Sequence, residues 1–101
     1  MIDPRIWKFE LEITDEQTVR MPKDGVALSV QFQGSKLCAW CMVNADPTWP
    51  KADVRFIIIG TGNPMPEDMK NCTFLGTAQD PGLRLVWHVF VDLPTVYVAQ
   101  I

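Results

Sequence analysis

Cys38-Ala39-Trp40-Cys41, Cys72 and His88 are the residues of the 101-residue sequence whose types first suggest chemistry. Three cysteines and one histidine form the ligand complement of a closed zinc site, and the first pair has the spacing of a zinc knuckle. Chelation by Cys-x-x-Cys needs a tight turn. This pair lies in a segment with strand periodicity, where residues three apart point to opposite faces. The same geometry argues against a disulfide or redox dithiol within the pair. Cys38, Cys41 and Cys72 therefore read as reduced structural thiols, with no metal and no cofactor. His88 is the single histidine and the one candidate base for a Ser or Cys nucleophile. Ser29 falls in a strand and Ser35 in a turn, and alternation places no carboxylate pair on one face with His88. It reads instead as a polar interruption on the outward face between Val86 and Phe90. The expectation is a protein that is not an enzyme.

Binding chemistry has better candidates. In Gly60-Thr61-Gly62-Asn63-Pro64 closely spaced glycines free backbone N–H groups to face a ligand. The segment is neither a dinucleotide fingerprint, which needs Gly where Met65 stands, nor a P-loop, which needs Gly-Lys-Ser or Gly-Lys-Thr and a helix. It ends a strand, and either it is only a turn or Gly60, Thr61, Gly62 and Asn63 bind a ligand or partner. The sequence also holds four tryptophans. Trp7 and Trp87 fall on apolar faces and belong to the core. Trp40 falls among Ser29, Gln31, Cys38 and Met42, and Trp49 sits in a proline-bounded loop. Exposed aromatic and Met side chains of this kind are typical of interfaces. The alternative is that a second sheet or the C-terminal segment covers the Trp40 face.

These residues need strands to position them. Trp7 to Ile13 alternates apolar and charged residues, the signature of a strand with one wet face. A short strand over 17–21 precedes a Pro-Lys-Asp-Gly turn. Val26–Gln33 and Lys36–Asn44 flank Gly34-Ser35, a two-residue loop of the Gly-X type that makes a primed hairpin turn. That turn predicts Phe32 opposite Leu37, Val30 opposite Ala39, Leu28 opposite Cys41 and Val26 opposite Val43, all on one apolar face. Val54 to Ile59 is nearly all apolar and β-branched, a central strand covered on both faces. After the glycine loop there is room for one helical turn over 67–70. Strands are expected over 72–79 and 83–91, the latter with Leu83, Leu85, Trp87, Val89 and Val91 on one side. Residues 95–101 could add an edge strand or an assembly tail.

Seven or eight short strands without a helical period predict an all-β single domain over 1–101, an antiparallel sandwich or a partly open barrel. Nine basic against twelve acidic residues, with no two basic residues adjacent, leave no nucleic-acid footprint. No uninterrupted apolar run, Phe56 to Ile59 included, approaches the ~20 residues of a membrane-spanning helix. The first residues lack the basic and apolar regions of a signal peptide, so cytoplasm is the expected compartment.

Phe9-Glu10-Leu11-Glu12-Ile13-Thr14-Asp15-Glu16-Gln17, Leu28-Ser29-Val30-Gln31, Gly60-Thr61-Gly62-Asn63-Pro64-Met65-Pro66, Phe74-Leu75-Gly76-Thr77 and Val86-Trp87-His88-Val89-Phe90 together resemble a family of small phage and prophage proteins of unknown function. The likeness covers roughly residues 7 to 91, and the chain departs from the family by continuing past Phe90. The resemblance implies expression in the cytoplasm of a bacterial host, and supplies no reaction or ligand. The expected function is that of a phage accessory or counter-defence protein that binds and sequesters a small, nucleotide-like ligand. The alternatives are an anti-CRISPR-like inhibitor that binds a host defence protein, and a virion accessory protein. The expected partner is a small-molecule ligand or a host protein, and the chain could also form a homo-oligomer.

Overall fold

The computed structural model describes residues 2–95. Among these residues seven strands form two antiparallel sheets: β1 (Pro4–Leu11), β2 (Glu16–Pro22), β3 (Val26–Gln33), β4 (Lys36–Asn44), β5 (Lys51–Gly60), β6 (Thr73–Gln79) and β7 (Val86–Val91). The three-stranded sheet runs β1-β4-β3 and the four-stranded sheet β2-β5-β7-β6. Two separate sheets packed face to face make this a β-sandwich, not a barrel. Among the described residues there is no helix, hence none long and apolar enough to cross a membrane. Both prolines that fall in strands, Pro4 and Pro22, end edge strands, where a missing N–H costs least.

Alternation builds the core. Leu37, Ala39, Cys41 and Val43 of β4 meet Val54, Phe56 and Ile58 of β5 and Val89 and Val91 of β7. β5 is covered on both faces, with Ile57 1% and Ile59 8% exposed on the side away from the sandwich interior. The Gly34-Ser35 hairpin forms in the expected register from Gln33↔Lys36 to Ser29↔Trp40. Gly34 takes φ 61°, as the first position of this turn requires.

Five expectations are corrected. A bulge between Ala27 and Ser29 shifts the hairpin by one residue, so Ala27 rather than Leu28 pairs with Cys41, and Val26 pairs with Met42. β3 is an edge strand, where bulges concentrate. The small Ala27, fully buried, donates its N–H to Pro94 O and bridges Thr95. β1 stops at Leu11, so Ile13 leaves the core and is 45% exposed. β7 starts at Val86, because Asp80 accepts the Gly82 and Leu83 N–H groups and Arg84 takes φ 58°; Leu83 and Leu85 consequently project outward. Residues 67–70 form no helical turn. The strand over 72–79 starts at Thr73 and carries its own irregularity between Phe74 and Gly76. The edge strand suggested for 95–101 lies, beyond Thr95, outside the described residues.

The strands of both sheets share two poles. At one, β1 and β3 begin beside the end of β4, and the chain returns from β7 to Ala27. At the other lie the Gly34 turn, the β1–β2 link 12–15, the end of β5 and the start of β7.

Candidate functional site

At that second pole β5 runs out at Gly60 beside Trp87 of β7. A Cβ on Gly60 would fall 2.8 Å from Asn63 Nδ2 and 3.1 Å from Trp87 Cζ3, so only glycine lets both side chains close on the backbone. The Asn63 N–H returns to Gly60 O at 3.0 Å, and the Thr61 N–H reaches Val86 O at 3.2 Å. Gly62 stands at φ 89°, where a side chain would be strained. Two prolines then stiffen the segment. Further along, Arg55 donates to Asp68 O and to the Glu16 carboxylate, fastening the connection 61–72 to the outer face of the four-stranded sheet.

Between this connection and the 13–16 link lies a cleft of about 580 Å³. Its apolar wall is built from Ile13, Ile57, Ile59, Pro64, Met65 and Trp87, and its polar groups come from Thr14, Asp15, Glu16 and Asn63. The volume falls within the usual range for small-molecule sites, as does the mixture of an apolar surface with a few polar groups. Among the described residues the only ionisable side chains in the lining are the acids Asp15 and Glu16. Glu16 is paired with Arg55, whose guanidinium that hydrogen bond makes still harder to deprotonate. The Asp15 carboxylate has no hydrogen-bond or ion-pair partner among the described residues. Nearby, Trp87 Nε1 is buried with no acceptor.

A second, shallower hollow of about 260 Å³ adjoins the first and is lined by Thr61, Gly62, Met65, Phe74, His88 and Phe90, among others. His88 is held from both sides, with Nε2 2.8 Å from Thr61 Oγ1 and Nδ1 2.9 Å from Thr77 Oγ1. One hydroxyl donates and the other accepts according to the tautomer. A nucleophile, a base and an orienting group in sequence is the skeleton of covalent catalysis. Here the orienting group is a neutral hydroxyl, and both ring nitrogens are occupied. The arrangement ties β6, β7 and the glycine loop together.

Of the six candidate binding residues, Gly60 and Asn63 line both hollows, and Thr61 and Gly62 line the second. Trp40 and Trp49 line neither. Trp40 is half-buried on the outer face of the three-stranded sheet, opposite Lys8 and Ser29. Trp49 is at the far pole, where its Nε1 donates to Lys23 O at 2.8 Å. The aromatic ring that does reach the loop is Trp87. Its inward register position hid this role, because an inward side chain at the last rung of a sheet borders open space. Nor did Ile13 to Glu16 carry a local sign of the site; they join it only because the β1–β2 link crosses between the sheets there.

The thiols are spread apart. Cys38 and Cys41 lie on opposite faces of β4, both without exposed surface, and Cys72 precedes β6. Burial pushes the Cys41 thiol up to about 11 and raises that of Cys72, the latter against the opposing pull of Arg55. Neither is set up as a nucleophile. Among the described residues no group of Cys, His, Asp and Glu side chains is placed to hold a metal ion.

A comparison with curated proteins and with solved structures finds no match. A family model does match: residues 3–97 correspond to a domain of unknown function, DUF7352, and the chain belongs to that family.

Proposed function

We propose that this member of the family is a non-enzymatic binding protein that holds a small ligand in the cleft between the 13–16 link and the Gly60–Pro66 segment. The observation that carries the reading is the cleft itself, a concavity of about 580 Å³ with an apolar wall and a few polar groups, on a rigid pair of strands. For a nucleotide-like ligand, the base is the part that suits it: the lining includes the indole of Trp87 and the amide of Asn63, which suit a base and its edges. Phosphates would meet Asp15 and Glu16, so a nucleobase or nucleoside is favoured over a nucleotide. The likeness of five segments to small phage proteins supports an accessory or counter-defence role in the bacterial cytoplasm.

The test is to purify the protein from a bacterial host, denature it by heat and analyse the released small compounds by mass spectrometry. A compound should be released in near-stoichiometric amount from the wild-type protein and not from Asn63→Trp, in which a large side chain at an exposed position fills the cleft. Release in equal amount from both proteins, or from neither, would count against the reading.

A second reading is supported by a different surface. Around Trp40 the outer face of the three-stranded sheet exposes Ile6 to 62% and Met42 to 41%, an apolar spot among Lys8, Glu10 and Gln31. Such a face suits direct binding of a host protein. Stoichiometric recovery of one host protein, lost on Trp40→Ser with folding intact, would favour it over the cleft.

A further inference from the structure

We infer that the cleft selects an organic cation, a compound with an apolar body and one ammonium group, over neutral or anionic molecules of the same shape. The inference rests on the cleft being the ligand site, and it replaces the neutral nucleobase of that reading with a positively charged occupant. Two features of its lining carry it beyond that reading. Among the described residues every ionisable group in the lining is acidic, and Arg55, the basic side chain that pairs with one of them, is already committed to Glu16 and to Asp68 O. Asp15 is thus left with an uncompensated carboxylate beside an apolar wall, free to attract a cation that the wall holds close to it. The second feature is the indole of Trp87 in the same wall, since an aromatic face attracts a cation and offers nothing to an anion. The Asp15 backbone already accepts the Ile58 N–H, so the link carrying the carboxylate is fixed to β5 before any ligand arrives. Together these features would seat an aromatic or aliphatic body against Ile13, Met65 and Trp87, with the ammonium group turned toward Asp15.

Three isosteric probes separate the possibilities: 2-phenylethylamine, 2-phenylethanol and phenylacetate. Each is titrated into 15N-labelled protein at neutral pH while the backbone amide resonances are followed. The amine should shift the resonances of Asp15, Glu16 and Asn63 and bind about tenfold more tightly than the alcohol, with phenylacetate weakest. Asp15→Asn should bring the amine down to the affinity of the alcohol and leave the alcohol unchanged. Added salt should weaken only the amine in the wild-type protein, a check that needs no variant. Equal binding of amine and alcohol, or a preference that survives both Asp15→Asn and high salt, overturns the cation selectivity while leaving the cleft a ligand site. No shift at the cleft residues with any probe overturns the ligand site as well.

Discussion

Cys41 is the residue whose surroundings alter its own chemistry most clearly. Fully buried on the inner face of β4, its thiol is pushed from an ordinary 9.0 up to about 11. A folded-state value above the unfolded one means that folding is helped by the bound proton. That contribution is complete below about pH 9 and is lost as pH rises through 11. Urea unfolding at pH 7.5 and 10.5 should therefore show a fall on the order of 2 kcal/mol in the wild-type protein, and a smaller fall in Cys41→Ala, which has no thiol to ionise. Equal falls in the two proteins would show that Cys41 does not govern the alkaline limb. The opposition of Cys38 and Cys41 was legible in the sequence, since alternation within a strand depends on nothing distant. The reach of Trp87 into the cleft was not, because it depends on where the sheet stops.

At the scale of elements, the loop after β5 is held by the Thr61 hydroxyl on His88, the Thr61 N–H on Val86 and the Arg55 clasp at Asp68. Thr61→Val removes the first and keeps the volume. Because Thr61 is exposed, global stability should change by less than about 1 kcal/mol. Hydrogen exchange at the amide of Asn63, which bonds to Gly60 O, and at that of residue 61 should nevertheless quicken severalfold, as local opening becomes easier. Unchanged exchange there would mean that His88 does not hold the loop. The glycines and prolines announced this loop in the sequence, and the Gly34-Ser35 turn set the hairpin register close to it. What local reasoning missed was the bulge at Leu28. With apolar Ala27 beside apolar Leu28, the pattern is satisfied by either register. The register that forms is the one in which Ala27, fully buried, gives its N–H to Pro94 O and bridges Thr95, a contact from far along the chain.

Over the whole molecule, stability centres on β5, whose second half is buried on both faces. Phe56 has no exposed surface and sits at the middle of the shared core. Phe56→Ala should lower unfolding free energy by about 3 to 5 kcal/mol, a large share of what a domain of this size has. Denaturant curves by tryptophan fluorescence and by circular dichroism should move together. A loss under about 1 kcal/mol would place the core elsewhere. Alternating strands were enough to predict an all-β fold. They did not decide between sandwich and barrel, because that depends on the long-range pairing of β1 with β4 and β2 with β5. The arrangement of the two poles has a practical side. Asp3 and Thr95 flank the same end of the three-stranded sheet, and the cleft opens at the other, the length of eight-residue β1 away, roughly 25 Å. An affinity tag, a sensor surface or a fusion partner joined beyond Asp3 or Thr95 would thus grip the protein from behind. Immobilised in that way, every copy would present its cleft to the solution, and captured compounds could be eluted without releasing the protein.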